Sequence, residues 1–446
     1  MGAGEAPWPW ASLFRGHAVC RGLWWVEMSP VARGGAEVNG GVGAEEGREA
    51  AYPHRACILD PQMKIGLFTD VYPPDVGGIE VVIGFMERIL RDRGHRVVTF
   101  APAYPGYRAH GPGVYRLPSV GVSRSRNWRL GYSLTGAARR AARDLDIVHS
   151  HTSYTIGLLG ARVALAQGIP HVHTYHVLLQ EYRRAIASGL PRAVLDGWLR
   201  LFLRRCDLVI APSEFARQEV ASYGVPVPVR VLPFGLDAAD FERPLVSNPR
   251  AELGIEERYL LLFVGRLVEE KNVGFLLRAF RILLERRDDV RLVIVGDGPG
   301  RGDLQELAVE LGIQHKTTFC GYLPREKVID LNRQADLFVF GSKTESQGLV
   351  ILEAMMAGTP AVAVDAAGVR DILRTGRDGL LVPEDERVFA ACCHELLSDE
   401  QRRSAMGRSA QDRAQEFTAQ ASVDELVRIY EELRAQKLCA RTAAGV

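Results

Sequence analysis

The stretch SKTESQGLVILEAMMAGTPAVAV, residues 342–364, indicates most clearly how this chain folds. It follows the apolar segment DLFVFGS and places Glu345 and Glu353 on either side of a predicted helix start. The run LVILEAMMA is apolar on every side except at Glu353, and a helix that is apolar all round is a buried helix. A strand, a polar loop and a buried helix in this order are typical of a parallel α/β sheet.

The same stretch indicates a ligand site. Glutamate is rarely buried without a partner, so Glu353 requires a fixed donor, and the paired hydroxyls of a ribose would serve. The amides of Gly348, Leu349 and Val350 lie at the predicted helix N-terminus, where unpaired N–H groups and the helix dipole attract an anion. One turn thus offers an anion seat and a hydroxyl acceptor, which suits a nucleotide-sugar. This segment alone leaves open a core helix whose glutamate pairs with an arginine elsewhere.

Composition places the chain among globular proteins. Hydrophobic residues make up 47% of the 446 residues, and the length predicts two or three domains. The chain contains no run of 18 apolar residues and no secretory signal pattern. We therefore expect no transmembrane helix and no export. The seven cysteines are scattered and form no C-x-x-C pair. They are interpreted as reduced thiols of a cytoplasmic protein.

Charge is distributed unevenly along the chain. Residues 63–240 hold 22 Lys and Arg against 14 Asp and Glu, a net charge of +8. Residues 241–446 hold 28 against 33, a net charge of −5. A basic front half joined to an acidic back half predicts an anionic partner for the front half.

Strand and helix patterns alternate from Met63 onward. Apolar strands such as KIGLFTD, DIVHSH, YLLLFVGR and DLFVFGS are each followed by a helical pattern. This alternation predicts an α/β fold with two doubly wound Rossmann-like domains, residues 63–240 and 241–430, that face a cleft and end in C-terminal helices. Residues 236–250 are interpreted as a linker and 431–446 as a tail. Residues 1–62 lack periodicity and are interpreted as a disordered leader or a mis-extended start.

Several motifs together show a family resemblance. GRLVEEK, VGDGP, TESQGLVILEAMMAGTPAV and DGLLVP, with PPDVGGIE and PHVHTYH in the front half, resemble glycosyltransferase family 4 from about Met63 to about Tyr430. The subset TESQGL and HTYH is most similar to the bacterial diacylglycerol glucosyltransferases. The resemblance implies the GT-B fold, retention of configuration, and UDP-glucose as the donor. It also implies that Glu345 contacts the sugar hydroxyls and that His176 contacts the sugar.

Two cations point to the diphosphate of such a donor. Arg266 and Lys271 follow the strand YLLLFVG closely enough for one loop to turn both to a single point. Fixed cations stabilise the charge that grows on a diphosphate leaving group, so no cofactor and no metal ion is expected. Gly77 and Gly78 follow the first strand and would allow a phosphate to approach the backbone, although a plain turn explains them as well.

Base selection and the histidines complete the predicted donor site. In this fold the base is contacted near the TTFCGYL strand end, which suggests Gly321 and Tyr322. His176 ends the predicted strand PHVHTYH at the cleft, and His151 is expected on the acceptor side. A zinc site among the histidines is disfavoured because no Cys or Glu joins them at metal-ligand spacing.

The basic stretch LPRAVLDGWLRLFLRRC, residues 190–206, allows two interpretations. Val194, Leu195, Trp198, Leu201 and Phe202 form a helical stripe, with Arg192, Arg200, Arg204 and Arg205 beside it. Such a helix can lie on an anionic membrane, or the stripe can pack on the sheet with solvated arginines. Nucleic acid is disfavoured because no recognised binding module accompanies the charge.

The combined prediction is a retaining, metal-independent hexosyltransferase with a nucleotide-diphosphate sugar as donor and a membrane lipid, such as diacylglycerol, as acceptor. It would act as a peripheral protein at the inner face of the cell membrane. A transferase acting on a soluble acceptor, such as a sugar phosphate or a polyol, and a GT-B sugar-nucleotide epimerase remain the alternatives. The sequence does not indicate an oligomeric state.

Overall fold

Strands and helices alternate through the computed structural model, as the sequence predicts. The structure describes residues 61–443 except 76, 108–110, 122–128, 177–191 and 367, so nearly all of the predicted leader lies outside it. The strands are β1 (Lys64–Phe68), β2 (Arg96–Pro102), β3 (Val114–Leu117), β4 (Ser119–Gly121), β5 (Arg129–Gly131), β6 (Ile147–Ser150), β7 (His171–Thr174), β8 (Leu208–Ala211), β9 (Val229–Val231), β10 (Tyr259–Val264), β11 (Val290–Val295), β12 (Thr317–Gly321), β13 (Leu337–Phe340), β14 (Ala361–Val364) and β15 (Gly379–Val382). The helices are α1 (Gly78–Asp92), α2 (Gly136–Ala141), α3 (Thr155–Gln167), α4 (Arg192–Leu203), α5 (Glu214–Ser222), α6 (Ala239–Glu242), α7 (Pro249–Glu252), α8 (Val273–Leu284), α9 (Arg301–Glu310), α10 (Arg325–Gln334), α11 (Leu349–Met356), α12 (Val369–Ile372), α13 (Glu386–Ser398), α14 (Glu400–Ala414) and α15 (Ala419–Ala443).

The N-terminal domain is built on a seven-stranded sheet in the order β3-β2-β1-β6-β7-β8-β9, and every pair in it is parallel. Its strands are apolar on both faces because helices cover both. In β1, Ile65 and Leu67 enter the core on one face, while Phe68 enters the core on the other. Side chains alternate across a strand, so β1 anchors two separate apolar layers.

The C-terminal domain carries a six-stranded parallel sheet in the order β12-β11-β10-β13-β14-β15. The strand order reverses between β10 and β13, and in the first sheet between β1 and β6. Ligands of such sheets bind beyond the carboxyl ends of the strands at these reversals. The loops after β1, β6, β10 and β13 are therefore where this fold places a site. Two doubly wound domains confirm the predicted architecture.

The last helix returns to the N-terminal domain. Ala419, Val423, Leu426 and Tyr430 of α15 are fully buried in the same core as Met63 of the first strand. Further along α15, Arg434 Nη2 lies 2.9 Å from Asp146, and Lys437 Nζ lies 2.8 Å from Asp207. The predicted division, with a C-terminal domain to 430 and a tail after it, is wrong for this helix because its apolar stripe covers the first sheet.

Other elements refine the prediction. The predicted C-terminal helices are separate elements, because α14 ends at Ala414 and α15 begins at Ala419. The predicted linker contains the short helix α6 and the start of α7. The sequence did not predict β3, β4 or β5. The basic stretch 190–206 is described from Arg192, the first residue of α4.

Candidate functional site

The loop between β13 and α11 carries the predicted anion seat. Gly348 adopts φ +86°, a left-handed conformation that favours glycine, and it caps α11. This helix is buried on all sides, as shown by its buried residues Ile351, Leu352, Ala354 and Met355. The first amides of the helix have no intrahelical acceptor and point into the loop. The fold therefore forms a fixed helix N-terminus at the strand reversal of the second sheet.

Lys271 and Glu345 meet at this loop. Lys271 ends a short 3-10 helix after β10, and its Nζ donates to Glu345 Oε1. Both side chains are largely shielded, with 20% and 12% of their surfaces exposed. The structure thus brings together two predicted site residues that are far apart in sequence. A ligand that binds Lys271 or Glu345 competes with the hydrogen bond between these two side chains.

Arg266 faces carboxyl groups of the other domain. It is half-buried after β10, and among the described residues no carboxylate lies within 4 Å of it. Asp75 and Glu80, from the segment after β1, both feel its charge. Burial raises the pKa of Glu80 to about 7 and also raises the pKa of Asp75. The positive charge of Arg266 therefore lies near two acids whose pKa values burial raises.

Gly77 and Gly78 lie across the cleft from the anion seat. A Cβ atom at Gly78 would sit 3.5 Å from Leu349 Cδ1, the first residue of α11. A Cβ atom at Gly77 would sit 2.9 Å from Glu80 Oε2, so this carboxylate folds back over the glycine loop. The loop after β1 and the start of α11 thus approach each other, as a site shared by two domains requires.

Glu353 has an arginine partner. Arg325 Nη1 donates to its Oε1, and Arg325 Nε lies 3.5 Å from Asp240 Oδ2. Glu353 is 8% exposed. The pairing with an arginine, which the sequence left open as an alternative, is therefore present. The contact uses one carboxylate oxygen, and a role toward a ribose stays a prediction.

Gln347 joins the two domains within the same loop. Its Oε1 accepts from the Phe234 amide at 3.0 Å, and its Nε2 donates to the Phe234 carbonyl at 2.5 Å. The Phe234 ring in turn stacks on His176, with centroids 5.6 Å apart and planes inclined at 27°. This connection from donor loop to histidine was not predicted from the sequence.

The histidines form a buried, hydrogen-bonded cluster at the ends of β6 and β7. His151 Nδ1 lies 3.0 Å from His176 Nε2, and His149 bonds Tyr430 and Thr174 at 2.6 and 2.7 Å. Burial lowers the pKa of His176 to about 3 and holds that of His151 well below its usual value. These rings are neutral at physiological pH. His151, expected on the acceptor side, is the direct partner of His176.

Gly321 and Tyr322 end β12 beside the glycine loop after β11. Gly321 has φ +68°, and its carbonyl accepts from the Gly296 amide at 2.8 Å. Tyr322 is 57% exposed, and its hydroxyl lies 3.4 Å from the Asp297 carbonyl. An exposed ring at a strand end is available to a ligand, and contact with a base stays a prediction.

Helix α4 presents two apolar faces, where the sequence predicted one stripe. Leu195, Leu199 and Phe202 are buried against the domain. Val194, Trp198 and Leu201 are exposed at 53%, 38% and 49%. All four arginines of this stretch are also exposed, and Arg200 Nε in addition donates to the Tyr223 carbonyl at 3.0 Å. One face packs on the sheet, as the second interpretation predicted, while the other leaves apolar and basic groups exposed. Binding of this face to a membrane stays a prediction.

The described residues contain neither a metal-binding cluster nor a membrane-spanning helix. Across the parts of the chain that the structure describes, no group of three or more His, Cys, Asp or Glu is arranged to hold a metal ion. Within the same residues, no helix is both long and apolar enough to cross a bilayer. Asp146, just before β6, has structural partners, since it accepts from the Lys64 amide at 2.7 Å and pairs with Arg434.

Comparison with known proteins identifies the family. Residues 76–240 match Glycosyltransferase Family 4, and residues 247–413 match Glycosyl transferases group 1. The chain is 36% identical over 312 residues to alpha-monoglucosyldiacylglycerol synthase of Streptococcus pneumoniae, covering 68% of this chain and 71% of that one. It is 33% identical over 317 residues to D-inositol 3-phosphate glycosyltransferase of Corynebacterium jeikeium, covering 68% and 75%. This chain belongs to the family 4 glycosyltransferases.

A solved structure confirms the architecture. HepE of Anabaena, in complex with UDP and glucose, superposes with a TM-score of 0.69 at 20% identity over 83% of this chain and all of that one. At this identity the likeness concerns the fold, which is GT-B. The family and the fold together define the chain as a hexosyltransferase, as the sequence motifs predicted.

Proposed function

We propose that this chain is a retaining glycosyltransferase that moves glucose from a nucleotide-diphosphate sugar, UDP-glucose, to a membrane lipid acceptor such as diacylglycerol. The observation that carries the proposal is that Lys271 pairs with Glu345 in the loop before α11, whose first residue approaches Gly78, while Arg266 acts on Asp75 and Glu80 beside that glycine. The name of the pneumococcal relative, an alpha-monoglucosyldiacylglycerol synthase, supports the lipid acceptor.

Each of these residues has a separate role in the proposed transfer. Arg266 and Lys271 neutralise the diphosphate as the bond to the sugar breaks, and the amides of Gly348–Val350 contribute at the same point. Glu345 leaves Lys271 and accepts from sugar hydroxyls, while Glu353 accepts from the ribose. His176 orients the sugar. This set of charges stabilises the leaving group without a metal ion, and the departing phosphate assists the incoming hydroxyl on the same face.

The exposed face of α4 supports a membrane-bound acceptor. Val194, Trp198 and Leu201 recur at helical spacing and stay outside the core, with arginines at both ends of the helix. Each arginine near an anionic surface contributes roughly 1 kcal/mol, and the apolar side chains enter the headgroup region. The net charge of +8 on residues 63–240 acts in the same direction. The protein would dock peripherally and reversibly at the inner face of the membrane.

Flotation with anionic liposomes tests the docking. Arg192, Arg204 and Arg205 are changed together to Glu; Arg200 is left intact because it bonds the backbone. The matched control places the same charge change on exposed arginines of the other domain, Arg286→Glu, Arg377→Glu and Arg408→Glu. Binding should weaken with salt and be lost in the α4 variant only. Equal loss in both variants would show a net-charge effect and refute a docking helix.

A soluble acceptor is the second candidate, and one observation favours it. Relatives that include the Corynebacterium jeikeium protein are named D-inositol 3-phosphate glycosyltransferases. Incubation with UDP-glucose and either diacylglycerol vesicles or inositol phosphate separates the two acceptors. A product with retained α configuration on the lipid supports the proposal. Transfer to inositol phosphate alone contradicts it, and a change of the sugar without any acceptor indicates an epimerase.

A further inference from the structure

The contact between His151 and His176 has a chemical consequence. Their nitrogens, Nδ1 and Nε2, lie 3.0 Å apart, the ring centroids lie 5.3 Å apart, and the planes are inclined at 23°. These values describe a hydrogen bond that runs nearly in the plane of both rings. A bond between two neutral imidazoles requires one N–H donor and one lone pair. The bond therefore fixes which nitrogen of each ring carries the proton.

The surroundings of His151 distinguish the two arrangements. His151 is 2% exposed, and its Nε2 is buried without a hydrogen-bond partner among the described residues. If His176 were the donor, His151 would carry its proton on Nε2 and bury an unpaired N–H group. If His151 is the donor, Nε2 is only an unused lone pair. Orphaned buried donors are rarer than under-satisfied acceptors, so the second arrangement is favoured.

The rings have little freedom to rearrange. His151 packs on His149, with centroids 4.2 Å apart, and both nitrogens of His149 are already bonded, to Tyr430 and Thr174. On the other side, His176 stacks on Phe234. The His151–His176 pair is thus packed between His149, whose two nitrogens are both hydrogen-bonded, and the ring of Phe234.

We propose that His151 is a positioning residue that holds His176 in the tautomer protonated at Nδ1. His176 then presents an N–H donor to the donor substrate, which selects oxygen acceptors such as a sugar hydroxyl or a phosphate oxygen. The same tautomer cannot accept a proton at Nδ1, so His176 does not serve there as a general base. This inference rests on the proposed function for its catalytic meaning, while the tautomer itself is independent of it.

The tautomer is measured directly. In the full chain labelled with 15N at histidine, two-bond couplings from the ring protons identify the protonated nitrogen, and the His176→Gln spectrum assigns the signal. We expect His176 protonated at Nδ1 in the wild type. A wild-type His176 protonated at Nε2 would overturn the proposal whatever the activity of the enzyme. Absence of activity with every acceptor would instead count against the proposed function alone.

Variants connect the tautomer to turnover. His151→Asn places an amide donor near the lost Nδ1, so it should keep the His176 signal and most of kcat. His151→Leu removes the donor and should shift the signal and lower kcat by about 10²-fold, the cost of one lost donor. The control is His171→Leu, at a buried strand-end histidine that bonds Ser150 and the Arg205 carbonyl. If His171→Leu lowers kcat equally, or if the Asn variant is as impaired as the Leu variant, His151 has only a structural role.

Discussion

The hydrogen bonds between Gln347 and Phe234 can be tested by a substitution that hardly changes the volume of the side chain. Gln347 is 3% exposed, and its amide satisfies both the N–H and the carbonyl of Phe234. Gln347→Glu keeps the acceptor, replaces the donor by an oxygen, and leaves the side-chain volume almost unchanged. The Phe234 carbonyl then loses its partner, which costs about 1–3 kcal/mol. Burying a carboxyl group adds to this, so we expect a loss of about 2–4 kcal/mol.

Thermal unfolding with and without UDP-glucose is the assay. A loss of this size should lower Tm by at least about 4 °C. Because Phe234 also stacks on His176, we expect weaker stabilisation by the donor as well. Gln305→Glu, the same substitution on the exposed surface of α9, is the control and should leave Tm unchanged. If Gln347→Glu unfolds within about 1 °C of the wild type, the reasoning that this amide holds the domains together is wrong.

Three further predictions concern the cleft. Arg266→Ala and Lys271→Ala should each lower turnover by about 10²-fold, measured as UDP release, and full activity in both would contradict their assignment to the diphosphate. Burial raises the pKa of Glu80 to about 7, so this group gains its negative charge as pH rises through neutrality and then repels a diphosphate. The Kd for UDP-glucose should therefore rise by about fivefold between about pH 6 and 8, and Glu80→Gln should remove that rise. Treatment with EDTA should leave turnover unchanged; loss of activity that Mg²⁺ restores would refute metal independence.

Local sequence patterns predicted the parts of the fold that depend on neighbours along the chain. Apolar runs bounded by turns predicted most of the strands of the two main sheets, because strands buried on both faces require such runs. They also predicted that Glu353 needs a donor. They did not identify that donor as Arg325, since a contact between two helices far apart in the chain leaves no periodic trace in sequence. The return of α15 to the first domain was missed for the same reason.

Helix α4 shows a second limit. Helical spacing predicts that Val194, Trp198 and Leu201 share a face, but it does not state whether that face is covered. The structure leaves these three exposed and buries the adjacent side of the helix. Similarly, the segment PPDVGGIE indicated a turn, while the approach of Asp75 and Glu80 to Arg266 required the second domain to be in place.

The return of α15 also affects the order in which the first domain can be completed during synthesis. The first sheet begins at Lys64, yet α15, one of the helices that cover it, follows the whole second domain in the sequence. The nascent first domain therefore carries an open hydrophobic face while the whole second domain is translated. Exposed faces of this kind bind chaperones and associate with one another. The first domain can therefore complete its core only after the second domain has been synthesised.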